Sequence, residues 1–292
     1  IPLKRIIAPA IQIAKQGTKI NKSQEYLFNL LDPILTSSSD GKKLFKPMGT
    51  TMRDGDTFKN LDFANFLEQL TIEGANYLYK NKGSSLIIDL MKDGGLINRN
   101  DLLDYQVIER KPLITKFYDK IIITNPPPSN GGSLISFILN LLSNKFKKHE
   151  VNQRELIIAM RLAQIVRKDI NVKKLDIKNL FNKQFYNKYF DIYHRNIEEN
   201  TYKDKSGSGS TTHVSIVDSS NNCSSITTSN GAGSGYIVPD TGIMMNNMLG
   251  EEDLNPEGFH SWDTSKRMQT MMSPTIISGN LGPELILGSG GS

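Results

Sequence analysis

The sequence predicts an α+β fold with helices and strands segregated along the chain, and three observations carry that prediction. Apolar residues recur at helical spacing through most of the first 170 positions. Short β-branched runs separated by glycine turns replace them after residue 211. Between the two lies Ser206-Gly207-Ser208-Gly209-Ser210, a stretch with no side chain to pack.

Leu3 to Lys15 places Ile6, Ile7, Ala10, Ile11 and Ala14 on one helical face, closed by Gly17. Asp62 to Lys80 reads as a second helix with Phe63, Phe66, Leu67, Leu70 and Ile72 as its stripe, and a short one follows at Asn100 to Tyr105. Pro112 to Phe117 and Lys120 to Thr124 have the β-branched and aromatic content of a hairpin. The triple proline 126–128 cannot continue a ladder, so the chain turns there before an apolar helix, Ser133 to Leu142. Asn152 and Glu155 form a capping box for a helix over 153–168 that buries Ile158, Leu162 and Ile165. Asn171 to Lys205, rich in Lys, Asn and Tyr, reads as an exposed, partly helical connection. Beyond the flexible stretch, strands are expected at 213–218, 223–228, 236–238, 242–245, 275–278 and 285–287.

Composition narrows the function. With 292 residues and 38% apolar content, the chain can bury one large core or two ordinary ones. Its longest apolar stretch, Leu134 to Leu142, is interrupted by Ser136 and Asn140 and is too short to span a bilayer. The net charge of +5 is unevenly spread: from residue 211 onward, Lys266 and Arg267 face eight carboxylates. The lysine clusters at 42–43, 145–148 and 173–174 read as solvated faces, so nucleic acid is not an expected partner. The lone Cys223 permits no internal disulfide and reads as a small buried strand residue. His149, His194 and His260 lack ligand spacing, so neither a metal nor another cofactor is expected. Glu251-Glu252-Asp253 lacks the spacing of a calcium loop.

Thr211-Thr212-His213-Val214-Ser215-Ile216-Val217-Asp218 is the most informative segment. By itself it is a strand with period-two alternation. The flexible residues before it would let the Thr211 hydroxyl reach back to the Ser210 carbonyl. An N-to-O acyl shift followed by hydrolysis would then free an N-terminal threonine. Such a residue carries nucleophile and base together, because a free α-amine titrates near about 7.7–8.0. His213, on this reading, is a packed or hydrogen-bonded strand histidine, and no histidine base is required.

Five further segments complete a pattern. They are Gly233-Ser234-Gly235-Tyr236-Ile237-Val238-Pro239, Gly242-Ile243-Met244-Met245-Asn246-Asn247, Met272-Ser273-Pro274-Thr275-Ile276, Gly288-Ser289-Gly290-Gly291-Ser292 and the upstream Pro126-Pro127-Pro128-Ser129-Asn130-Gly131-Gly132. Ala8-Pro9-Ala10-Ile11 and Gly94-Gly95-Leu96-Ile97 add to it. In this order they resemble the gamma-glutamyltransferases over nearly the whole chain. The resemblance implies the four-layer α-β-β-α sandwich of N-terminal-nucleophile hydrolases. It also implies self-cleavage between Ser210 and Thr211. Residues 1–210 would belong to the large subunit and 211–292 to the start of the small one, the two staying associated afterwards. It implies a piece of a longer polypeptide, without the family's N-terminal substrate-carboxylate arginine. Family members are often periplasmic or extracellular; the chain begins at Ile1 without a basic segment followed by an apolar one, so no compartment follows from it.

Position by position, the resemblance makes Thr211 the nucleophile, with its own amine as base. Ser229 becomes the hydroxyl that orients it. Gly290 and Gly291 supply the oxyanion N–H groups, and Asn230 and Thr270 contact a substrate α-carboxylate. The expected substrates are glutathione or other gamma-glutamyl compounds, with water, amino acids or peptides as acceptors. Where the family usually has glutamine and an Asp-Asp pair for the glutamyl α-amine, this chain reads Met248-Leu249-Gly250-Glu251-Glu252-Asp253. Glu251 and Glu252 then stand as candidate partners for that amine, and Met271 replaces a serine. The changed loop keeps open an acylase of the same fold acting on a glutaryl-type amide. The absent arginine keeps open a non-catalytic fragment, which Thr211-dependent amidase activity would exclude.

Overall fold

The computed structural model describes residues 1–92, 94–148, 151–173, 180, 184–185, 187–189, 191, 211–255 and 258–290. Among them the helices are α1 (Leu3–Gln16), α2 (Lys22–Leu30), α3 (Asp32–Leu35), α4 (Ser39–Phe45), α5 (Leu61–Glu73), α6 (Ala75–Tyr79), α7 (Lys82–Met91), α8 (Arg99–Leu103), α9 (Asn130–Lys145) and α10 (Gln153–Lys173). The strands are β1 (Thr18–Lys19), β2 (Thr57–Phe58), β3 (Leu113–Phe117), β4 (Lys120–Thr124), β5 (Thr211–Val217), β6 (Cys223–Ser229), β7 (Ile237–Val238), β8 (Ile243–Met244), β9 (Thr275–Gly279) and β10 (Gly282–Leu287). They fall into two compact units, one of residues 1–108 with 230–247, the other of 109–229 with 248–292.

The first unit wraps α1–α8 around the antiparallel pair β7–β8. Ile237 packs with Leu35 and Phe45, Ile243 with Phe66 and Tyr77, and Val238 with Ile87 and Leu102. A pair of two-residue strands thus supplies an apolar side chain to each of three helical clusters. The helix starts follow local chemistry: Asn21 with Gln24, and Asn98 with Asp101, form reciprocal capping boxes for α2 and α8. Asn60 caps α5 through its side-chain oxygen, while its amide donates to the Gly242 carbonyl at 2.9 Å.

Several expectations change here. The helix expected over 62–80 is two, because Gly74 adopts φ 64°, ψ −156° between α5 and α6. Ile72 is 75% exposed and leaves the stripe, whereas Phe66 and Leu67 are buried in it. On α1 the half-buried residues are Ile7, Ile11 and Ala14, while Ile6 and Ala10 face outward. The helix expected over 100–105 runs from Arg99 to Leu103, and Tyr105 lies beyond it, stacked on Tyr79.

The second unit is built on an antiparallel sheet in the order β10-β9-β4-β3. Side chains of one face, Thr115, Ile122, Thr124 and Thr275, are buried, and α9 packs against β3 and β4. Helix α10 lies on α9, so Leu134, Phe137, Leu141 and Leu142 meet Ile158, Ala159, Leu162, Ala163 and Val166. Thr124 and Thr275 satisfy one another across the β4–β9 pair at 3.0 Å. The register aligns Ile114, Ile123, Ile276 and Ile286 on the opposite face.

The apolar helix expected over 133–142 extends to Asn130–Lys145, because the chain enters it directly from the proline turn. The helix expected over 153–168 runs on to Lys173. The connection read as exposed contributes two buried residues, Leu180 and Tyr189, to the α9–α10 core; most of its remainder lies outside the described residues. Cys223 is half-buried at the start of β6.

Leu162 is fully buried at the centre of this core. Leu162→Ala is expected to lower unfolding stability by about 2–5 kcal/mol, read as a shift in denaturant midpoint at unchanged slope.

Candidate active site

The second unit also holds the hairpin β5–β6, seven residues a strand, paired from Thr211↔Ser229 to Val217↔Cys223. Its turn is an Asp218 device. The carboxylate accepts backbone N–H groups of Ser220 (2.8 Å) and Asn222 (2.9 Å) and the Asn222 side-chain amide (2.9 Å). Those bonds, the Asn222 amide first, hold the Asp218 carboxyl below the usual carboxylate range.

Period-two alternation gives the hairpin two unlike faces. Val214, Ile216 and Ile226 are exposed on one. On the other, Thr211, His213 and Ser215 stand opposite Ser229, Thr227 and Ser225, a ladder of hydroxyls around one imidazole. At its open end the half-buried Thr211 donates through Oγ1 to Ser229 Oγ at 2.9 Å. This bond fixes the rotamer of the Thr211 hydroxyl before any substrate is present.

The end of β10 runs along that polar ladder. Ser215 Oγ donates to the Ile286 carbonyl (3.1 Å) and Ser225 Oγ to the Leu287 carbonyl (3.3 Å). Three residues on, Gly290 lies against the Thr211 backbone so closely that a Cβ there would overlap the Thr211 carbonyl oxygen. Glycine at 290 is therefore a steric requirement of the approach to Thr211.

Three of the expected residues, Thr211, Ser229 and Gly290, are thus brought together. Ser210 and Gly291, the other halves of the expected cleavage bond and glycine pair, lie outside the described residues. Thr270 is fixed by a different part of the second unit. Its carbonyl accepts the Asn130 N–H at the start of α9 (2.9 Å), and its Oγ1 accepts the Met272 N–H (3.1 Å). Ser129 Oγ adds a bond to the Met272 carbonyl (3.0 Å), so the Ser129-Asn130-Gly131-Gly132 motif cradles the 270–273 segment. Gly131 is required there, since a Cβ would overlap the Met271 carbonyl, while the Met271 side chain packs into the α9–α10 core. Glu251 lies between two short 3-10 turns, Met248–Gly250 and Glu252–Leu254, and Glu252 opens the second; they are half-buried and exposed respectively.

Asn230 belongs to the first unit. Its carbonyl accepts the N–H groups of Gly233 and Asn247, both at 3.1 Å. Its exposed side chain lines an open cavity of about 430 Å³ with Phe58, Asn60, Phe63, Ile243 and Met244.

The family model for gamma-glutamyltranspeptidase matches residues 1–292. The chain belongs to that family. The glutathione hydrolase proenzyme of Escherichia coli (strain K12) is 28% identical over 320 residues, covering 100% of this chain and 55% of that protein. The chain therefore spans about half the length of such relatives. Among solved structures, cephalosporin acylase from Bacillus halodurans superposes with a TM-score of 0.77 at 20% identity, covering 98% of this chain and 55% of that one. Helicobacter pylori gamma-glutamyltranspeptidase gives 0.59 at 31%, covering 66% and 58%. The fold is accordingly the α+β sandwich of the N-terminal-nucleophile hydrolases, as the motifs of this gamma-glutamyltranspeptidase family member predict.

The family pattern did not single out Ser215, Ser225 and Thr227. Their signal was present as polar residues at every second position of two adjacent strands. Only the β5–β6 register reveals that they share a face.

Proposed function

We propose that the chain carries the nucleophile and part of the substrate site of a self-cleaving gamma-glutamyl hydrolase. The observation that carries this reading is the Thr211 Oγ1–Ser229 Oγ bond at a strand start closed over by Gly290. In maturation, Thr211 Oγ adds to the Ser210 carbonyl and the peptide C–N bond breaks. The resulting ester is hydrolysed by water, leaving a carboxylate on Ser210 and a free amine on Thr211. The pieces 1–210 and 211–292 remain joined without a covalent link. Strands β9 and β10 continue the sheet of β3 and β4, and β7–β8 stays buried among α1–α8.

In turnover, Thr211 Oγ attacks the γ-amide carbonyl of glutathione or a related compound while the Thr211 amine accepts its proton. The N–H groups of Gly290 and Gly291 receive the oxyanion, a contribution of about 2.7–4 kcal/mol per donor to the transition state. The ammonium returns the proton to the leaving amine. Water then hydrolyses the threonyl ester; an amino acid or peptide would instead accept the acyl group. Asn230 and Thr270 serve the substrate α-carboxylate, and Glu251 and Glu252 its α-ammonium. The E. coli relative's name, a glutathione hydrolase proenzyme, supports both the substrate class and the maturation.

One observation favours a second reading, a glutaryl-type acylase. The loop 248–253 departs from the family pattern where the glutamyl α-amine would bind. Paired γ-glutamyl and glutaryl anilides, differing only in the α-amine, separate the two in the full-length protein. A site that binds the ammonium through Glu251 and Glu252 is expected to prefer the γ-glutamyl compound by about 10–10²-fold in kcat/KM, the scale of a hydrogen bond between charged groups. Equal rates, or a glutaryl preference, would replace the hydrolase reading with the acylase one.

A further inference from the structure

We infer that His213 is a positioning residue that clamps the Gly288–Gly290 segment over Thr211; this rests on the reading in which Thr211 attacks and Gly290 receives the oxyanion. Both ring nitrogens are engaged: Nδ1 lies 2.8 Å from Thr227 Oγ1 and Nε2 lies 2.8 Å from Ser215 Oγ. The direction of these bonds follows from their far end. Ser215 has one hydroxyl proton, and it is donated to the Ile286 carbonyl. Assigning that proton to the carbonyl makes Ser215 Oγ the acceptor from His213, with the ring proton on Nε2. In the neutral ring Nδ1 is then the acceptor, and Thr227 donates to it. The result is a directed chain, Thr227 to His213 to Ser215 to the Ile286 carbonyl, crossing the hairpin and ending on the strand that leads to Gly290.

The ring also acts by contact. A Cβ on Gly288 would overlap His213 Nδ1 and Cε1, so the imidazole occupies the space where any other residue at 288 would put its side chain. The segment is consequently held at Ile286 and Leu287 by hydroxyl bonds, and it lies close against the ring at Gly288 and against the Thr211 carbonyl at Gly290. With both nitrogens committed to this scaffold, His213 is not the proton acceptor for Thr211. Its effect on catalysis runs through the placement of the oxyanion donors.

The test compares His213→Ala, His213→Gln, Gly288→Ala and the double variant His213→Ala/Gly288→Ala in the full-length protein. The readings are the fraction self-cleaved, then kcat and KM per cleaved molecule. His213→Ala is expected to lower kcat by about 10–100-fold, since displacement of a catalytic group by about 1 Å costs on that order, with KM moving by less than about 3-fold. His213→Gln, which offers a donor and an acceptor, is expected to recover most of the loss. Gly288→Ala alone is expected to be as damaging as His213→Ala. Added to His213→Ala it is expected to cost less than about 2-fold, because its methyl enters vacated space. Unchanged kcat per cleaved molecule in His213→Ala, or multiplicative losses in the double variant, would overturn the clamp. Should His213→Ala not fold, Gly288→Ala and His213→Gln decide alone: full kcat in the first, or no difference between Gln and Gly288→Ala, overturns it. Thr211→Ala run alongside separates the two ideas. If it retains turnover, the nucleophile reading itself has failed; if only His213→Ala is silent, the clamp alone has.

Discussion

Thr211→Ala is expected to abolish self-cleavage and to lower amidase activity by roughly 10⁴-fold or more, the scale seen when an activated nucleophile is removed. The side chain and amine of one residue perform attack and proton transfer, so no neighbour can substitute for either. Thr211→Ser is the informative companion. It keeps the hydroxyl that donates to Ser229 at 2.9 Å and removes only the γ-methyl, so measurable cleavage and turnover should remain. Rate assays with a γ-glutamyl anilide, normalised to the cleaved fraction, give both numbers. Equal activity in Thr211→Ala and the parent would reduce Thr211 to an ordinary strand threonine.

Gly290→Ala has the second largest expected effect. The added Cβ would overlap the Thr211 carbonyl oxygen, which lies in backbone and cannot swing away. Either the glycine segment lifts off the hairpin or β5 shifts at its first residue, and both displace the oxyanion donors from Thr211. Loss of one such donor costs about 10²–10³ in kcat, so a fall of that order with little change in KM is expected. Gly290 is exposed and outside the hydrophobic cores, so thermal stability should change little by comparison. A variant with parental kcat would mean that the close approach to Thr211 has no part in turnover.

The strands around the site were legible from sequence because their signal is local. The short β-branched runs expected as strands at 112–117, 120–124, 213–218 and 275–278 form strands at Leu113–Phe117, Lys120–Thr124, Thr211–Val217 and Thr275–Gly279. Thr211 was legible for the same reason, as the first residue of such a run after a side-chain-poor stretch. What stayed hidden depends on non-local packing. Helices α2, α3, α4 and α7 are too short or too polar to stand out by periodicity, and are fixed by contacts such as those of Leu35 and Phe45 with Ile237. The break at Gly74 is a backbone choice that the continuous apolar stripe masks. The reason for glycine at 131 emerges only when residue 271 arrives from 140 positions away. Likewise, His213 reads as one polar residue in a strand until the β5–β6 register sets Thr227 at Nδ1, with Ser215 two residues on at Nε2 and bonded in turn to β10.

Intact-mass measurement of the purified full-length protein beside Thr211→Ala tests the central claim most directly. The account predicts two chains from the parent, the smaller beginning at Thr211 with an unmodified α-amine, and a single uncleaved chain from the variant. A folded parent that remains in one piece, or a split at another bond that persists in Thr211→Ala, would contradict it.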